Sequence, residues 1–182
     1  MRVCYAEGVL TVPDTRISVV EADITRLKVD AVINAANASL LGGSGVDGAI
    51  HRVAGPRLLE ECRRLGGCPT GEVRVTHGFD LPAKWVIHAV GPVWRGGNHD
   101  EHDQLAACYR KALDLAATVH ALSVAFPAIS TGIYGFPRDE AAVIAVGTVR
   151  DWLARHRTLD QVIFCCFTPD RADAHRLALA RS

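Results

Sequence analysis

The chain has 182 residues, of which 49% are hydrophobic and 22% charged; it can bury about 70% of its unfolded surface without disulfides or metal, and it is too apolar to be disordered. Twenty Lys and Arg balance twenty Asp and Glu, which argues against a broad polyanion-binding surface but leaves room for a local, amide-lined anion pocket. Cys4, Cys62, Cys68, Cys108, Cys165 and Cys166 show no CxxC spacing and read as small apolar core residues in a reducing compartment.

In chain order, the opening MRVCYAEGV lacks the charged segment and apolar core of a secretory signal. No apolar run approaches the ~18 residues of a membrane span. A cytoplasmic protein of one domain, 1–182, is expected, and without export the sequon at Asn37, Ala38 and Ser39 carries no meaning. Residues 9–12 predict an edge strand that Pro13 would end. Apolar and β-branched runs predict strands over 17–21, 29–33, 85–90, 123–127 and 162–167, and alternation predicts a half-exposed one over 73–76. Residues 48–54 read as a short helix stopped at Gly55, and Pro56 as the first residue of a second, to about Leu65. Leu105, Cys108, Ala112, Leu115 and Val119 form an apolar stripe within 104–122, and Ala142, Val146, Val149 and Leu153 form another within 138–155. A last helix is predicted over about 171–180. Buried strands alternating with helices imply an α/β fold, an α/β/α sandwich around a largely parallel sheet, whose ligands bind beyond the carboxyl ends of the strands.

Two segments at predicted strand ends stand out. After Ile33 come Asn34, Ala35, Ala36 and Asn37, then a run from Gly42 through Gly43, Ser44, Gly45, Val46 and Asp47 to Gly48, and then Ala49, Ile50 and His51. Four glycines in seven residues let backbone amides approach a ligand, and the run enters a helix N-terminus that favours an anion. After Pro127 come Ser130, Thr131, Gly132, Ile133, Tyr134, Gly135, Phe136 and Pro137, again leading into a helix. Together they point to a cleft for a phosphate-bearing ligand. No GK[ST] triplet follows the glycines, which excludes a P-loop. Gly43, Gly45 and Gly48 do fit G-x-G-x-x-G, but about nine residues separate them from the strand end and no acid stands where a dinucleotide fold needs one.

Asp47 is the oddity, because a carboxylate inside such a loop repels the ligand it encloses. It serves as a helix N-cap, as a reacting group, or as both. His51, one turn on, shares its face and either positions Asp47 or a water or simply packs. Asn34 and Asn37 offer donors and an acceptor to sugar hydroxyls, or stabilise turns. Asp23, heading Ile24 and Thr25, either accepts from the exocyclic amine of a base or caps a turn. His99 and His102 read as part of a solvated loop rather than a metal site, with no third ligand nearby.

The stretches Ala22 to Thr25, Asn34 to Asn37, Gly42 to His51 and Ser130 to Gly135 together resemble the macrodomain family, specifically its branch of O-acetyl-ADP-ribose deacetylases and mono-ADP-ribosyl hydrolases. The resemblance runs from Ile17 to about Phe167 and includes Gly66 to Glu72, Leu81 to Lys84 and Val86 to Pro92. It implies a three-layer fold with a mixed sheet of six or seven strands and ADP-ribose at the strand tips. By that likeness Asp23 holds the adenine amine, Ile24 lies beside the base and Phe167 stacks on it. Gly43, Ser44, Gly45 and Val46, with Ser130, Thr131, Gly132, Ile133 and Tyr134, wrap the diphosphate. Asn37 bonds the distal ribose, and Asp47 orients or activates the attacking water with Asn34 and His51 in support. Ala22 stands where the family usually has glycine, Ser44 interrupts a glycine run, and His77 stands where glycine is common.

The expected activity is removal of ADP-ribose from acidic side chains of mono-ADP-ribosylated proteins, deacetylation of O-acetyl-ADP-ribose, or both, by a monomer without cofactor. No metal is expected, because residues 42–48 lack the Cys and His ligands of the family's zinc-dependent branch. Proximity and general-base assistance suffice for this hydrolysis, with an ordinary aspartate of pKa about 3.9 ionised at neutral pH. A ligand phosphate taking the water's proton is an equal alternative. The rival reading is a module that binds ADP-ribose marks without cleaving them. Zero net charge and 6% aromatic residues argue against binding extended poly(ADP-ribose) or RNA strands.

Overall fold

The computed structural model describes residues 5–6, 9–10 and 14–181. Two short strands, β1 (Tyr5–Ala6) and β2 (Val9–Leu10), pair antiparallel with each other apart from the main sheet. Of the predicted edge strand, Val9–Leu10 forms β2, and Thr11, Val12, Pro13 and Cys4 lie outside the described residues.

Six strands build the main sheet: β3 (Ile17–Glu21), β4 (Ala31–Ala35), β5 (Val73–His77), β6 (Trp85–Ala89), β7 (Ser123–Phe126) and β8 (Gln161–Cys166). Their order is β3-β8-β7-β4-β6-β5, parallel throughout except for the antiparallel β5–β6 pair. Helices α1 (Gly45–Ala54) and α2 (Pro56–Leu65) cover one face. The other carries α3 (Glu101–Thr118), α4 (Arg138–Arg155) and α5 (Pro169–Arg181). Strand alternation divides the core between them: Ala31 and Ile33 pack toward α3 and α4, while Val32 packs toward α1 and α2. Cys165 and Cys166 likewise face opposite sides, and burial pushes both thiols up to about 11.

Several predicted boundaries move, each for a visible reason. Strand β4 starts two residues late and runs through Asn34, whose polar side chain is paired beneath α1, so the ladder continues to Ala35. Helix α1 begins at Gly45, not Gly48; Ser44 is its N-cap, so Asp47 lies inside the first turn and does not cap it. Helix α3 stops at Thr118 rather than Leu122, because His120 turns left-handed (φ 57°) and Ala121 N–H donates to Ala116 C=O, a Schellman closure.

At its other end α3 starts three residues earlier than predicted. His99, Asp100 and His102 are exposed as expected of a solvated loop, but Glu101 is 1% exposed and accepts from the N–H groups of Arg95, Gly97 and His99. Burial opposes ionisation, but these amides outweigh it and hold the carboxyl at about 2. Such a depressed acid stabilises the fold fully above its unfolded pKa, and that contribution is lost as pH falls toward 2. Glu101→Gln is therefore expected to lower Tm at pH 7, with the gap to wild type closing between about pH 5 and pH 2 in thermal melts across that range.

Candidate functional site

A cleft of about 740 Å³ opens at the carboxyl ends of β3, β4, β7 and β8, and both glycine-containing loops line it. Asp23 and Ile24 border it after β3, Asn37 and residues 43–47 after β4, residues 130–134 after β7, and Phe167 after β8. Among the described residues, the N–H groups of Gly43 and Ser44 on one side, and of Thr131, Gly132, Ile133 and Tyr134 on the other, donate no hydrogen bond. Unpaired amides on two sides of a cleft, one set entering α1, are of the kind that can hold an anion.

The first loop depends on close backbone approach. A Cβ at Gly48 would lie 2.4 Å from Gly43 C=O, so only glycine lets the loop fold onto α1. Asn37 holds the same loop: its Nδ2 donates to Gly42 C=O at 2.8 Å, and its Oδ1 accepts from Ser39 N–H at 3.0 Å. The turn-stabilising reading of Asn37 thus describes its present bonds, while its residue still faces the cleft. The second loop carries Ser130 in a left-handed conformation (φ 64°), with its Oγ buried and unpartnered among the described residues. Gly91 makes this possible, since a Cβ there would come within 2.2 Å of that Oγ.

Asp23 shows the turn cap, one of the two roles read from it, and borders the cleft. Its Oδ1 accepts from Thr25 N–H and Oγ1–H, capping the short 3₁₀ turn Ile24–Arg26, and these bonds hold the carboxyl below its ordinary range. Its Oδ2 lies 3.7 Å from Arg26 Nε. Ile24 is buried beside it, whereas Phe167 is 81% exposed and Ile133 85% exposed at the rim.

Asp47 is 4% exposed and lines the cleft floor. Asn34 Nδ2 donates to its Oδ1 at 2.7 Å, and His51 Nε2 stands 3.5 Å from the same oxygen without a hydrogen bond. Oδ2 lies beneath Gly43, 3.0 Å from where a Cβ would sit. Burial raises the Asp47 pKa, and the Asn34 bond and the nearby imidazole only partly offset it; the ordinary value expected from sequence is corrected upward. Asn34 is fully buried behind Asp47, and His51 lies under Gly42 and lines a second, shallower depression with Leu41 and Leu59. Both therefore touch Asp47 rather than the main cleft.

Three features escaped the sequence reading. Arg52 and Arg171 line the cleft. Arg171 Nε donates to Thr131 Oγ1 at 3.2 Å, bracing the second loop from α5. No local pattern marks it, because 40 residues separate the pair. His88, a buried histidine of β6, bonds Asn34; a histidine within the apolar run 85–90 was its available signal. His51, Cys62 and His88 bring metal-competent atoms within 4.8 Å of one another. Both His88 nitrogens are engaged within the protein, by Asn34 and Thr76.

Residues 33–145 match the Macro domain family model, and the chain belongs to that family. It is 60% identical to a macro domain-containing protein of Chlorobaculum tepidum over 90% of this chain and 95% of that one. It is 58% identical to the ADP-ribose glycohydrolase MACROD2 of Homo sapiens over 84% of this chain, which spans only 36% of that longer protein. Among solved structures it is similar to the Oceanobacillus iheyensis macrodomain with ADP (TM-score 0.86, 41% identity, 90% of this chain and 89% of that one). It is also similar to the Trypanosoma brucei macrodomain in complex with ADP-ribose (TM-score 0.85, 45% identity, 90% and 69%).

Proposed function

We propose that the chain is an ADP-ribose-binding hydrolase that releases ADP-ribose from acidic side chains of proteins, acetate from O-acetyl-ADP-ribose, or both. The observation that carries this reading is a buried carboxylate, Asp47, set between two amide-lined loops on one cleft. The naming of one relative as an ADP-ribose glycohydrolase agrees with it.

In this reading the diphosphate binds the free amides of residues 43–44 and 131–134, adenine lies between Asp23 and Phe167, and the distal ribose reaches Asn37 and Asp47. Binding energy spent on the diphosphate and base holds the scissile bond beside one water. The Asp47 carboxylate accepts a hydrogen bond from that water. The water oxygen attacks the anomeric carbon, whose bond to the carboxylate breaks, or it attacks the ester carbonyl, whose bond to the ribose oxygen breaks; the water's proton passes to Asp47 or to a phosphate oxygen of the ligand, and in the second route a proton returns from there to the departing ribose oxygen.

Assays of wild type on an aspartate- or glutamate-linked ADP-ribosylated protein and on O-acetyl-ADP-ribose test the proposal. Turnover of either supports it; saturable ADP-ribose binding with turnover of neither makes the protein a reader. Phe167→Ala should leave Tm unchanged, because the ring is exposed, yet weaken ADP-ribose binding about tenfold, since base–aromatic stacking is worth ~1–3 kcal/mol. Calorimetry on the variant checks this, and an unchanged Kd would remove Phe167 from the site.

A further inference from the structure

A polar seam crosses three neighbouring strands on the face beneath α1 and α2. Asn34 on β4 pairs in register with His88 on β6, and Thr76 on β5 lies on the same face. Asn34 Nδ2 meets Asp47 Oδ1 at 2.7 Å and His88 Nδ1 at 3.1 Å, while His88 Nε2 meets Thr76 Oγ1 at 2.9 Å. Asn34 and His88 are 0% exposed and Thr76 is 1% exposed. Such residues in mid-strand need a reason, since apolar side chains fill these positions at no polar cost.

We propose that His88 is a positioning residue for the hydrolysis: its bare Nδ1 fixes the Asn34 amide so that Asn34 holds Oδ1 of Asp47 and leaves Oδ2 as the oxygen that meets the water. An amide nitrogen donates only, and its two hydrogens here go to two acceptors. Turning the Asn34 amide over would set its oxygen against the Asp47 carboxylate at the same 2.7 Å. Asn34 Oδ1 is buried without a partner among the described residues, so nothing at that end selects the orientation. The selection comes from Asp47 and His88, and it requires His88 to be neutral with its proton on Nε2, donated to Thr76.

The surroundings keep it so. Cys62 Sγ of α2 lies 3.7 Å from His88 Nε2, the His51 ring of α1 is 6.3 Å away between centroids, and Asp47 is reached only through Asn34. Burial chiefly, and the nearby His51 charge second, push the His88 pKa down to about 3, and burial lifts the Cys62 thiol to about 11. No charged partner touches the ring, and its burial favours the neutral form.

The inference rests on the proposed hydrolase reading but is read out separately from it. In ¹⁵N NMR of wild-type protein from pH 5 to 8, His88 should show an unprotonated Nδ1 and a protonated Nε2 throughout. A proton on Nδ1 overturns the proposal, whether or not the protein turns over substrate. His88→Phe should lower kcat about tenfold, the effect of one lost buried hydrogen bond, with the ADP-ribose Kd within about twofold of wild type. His88→Gln, whose Oε1 can accept from Asn34, should restore most of the loss. Equal kcat in wild type and His88→Phe, or a Kd that rises in step with the loss of kcat, contradicts a positioning role. Should His88→Phe not fold, the tautomer and the His88→Gln kinetics decide.

Discussion

Asp47→Ala is expected to reduce turnover by about a thousandfold while ADP-ribose binds as tightly as to wild type or more so. Removing a positioned base costs about 10²–10⁴-fold. The same substitution takes a negative charge out of the loop proposed to cradle a diphosphate, so binding has no reason to weaken. Asn34 and His51 already contact Oδ1, which leaves Oδ2 for the water. Because burial raises the Asp47 pKa, kcat should fall on the acid side at a higher pH than an ordinary aspartate would give. The stability effect runs the other way. A carboxyl whose folded pKa is raised favours the fold below its unfolded value and loses that contribution as pH rises through the folded one. Asp47→Asn, which keeps an acceptor for Asn34, should therefore raise Tm at pH 7 while abolishing most activity. Parallel kinetics, calorimetry and melts on the two variants check these expectations; a loss of binding equal to the loss of rate would make Asp47 a structural residue.

Gly48→Ala carries the second large effect. Alanine is the better helix former by about 1 kcal/mol, so a surface helix position would gain. Here the new Cβ would meet the Gly43 carbonyl at 2.4 Å, and the backbone it strikes is the wall of the cleft. Overpacking of this kind costs about 1–3 kcal/mol, so Tm should drop by several degrees and ADP-ribose affinity by about tenfold or more. Binding unchanged from wild type would show that the Gly43–Gly48 contact does not shape the site.

The strands and helices were legible in the sequence because their burial is periodic. The ends of β4 and α1 were not: Asn34 looks like a strand terminator until its hydrogen-bond partners are seen, and Asp47 looks like a cap until Ser44 takes that place. The two loops were visible through glycine density and their position after strands, and the fold sets them across one cleft. What lay outside local pattern was everything joined across the sheet. Arg171 reaches Thr131 from another helix, and His88 reaches Asn34 from a neighbouring strand. Glu101 escaped for a different reason: an acid flanked by His and Asp reads as solvated, and only the turn of 95–100 back over it supplies the three amides that bury it.

Backbone ¹H–¹⁵N spectra of the wild-type protein titrated with free ADP-ribose test the central claim most directly. Saturable shifts at a single site are expected, largest at Asp23, residues 43–47, residues 130–134 and Phe167. Shifts that leave one of the two loops untouched, or no shifts at saturating ligand, would contradict it.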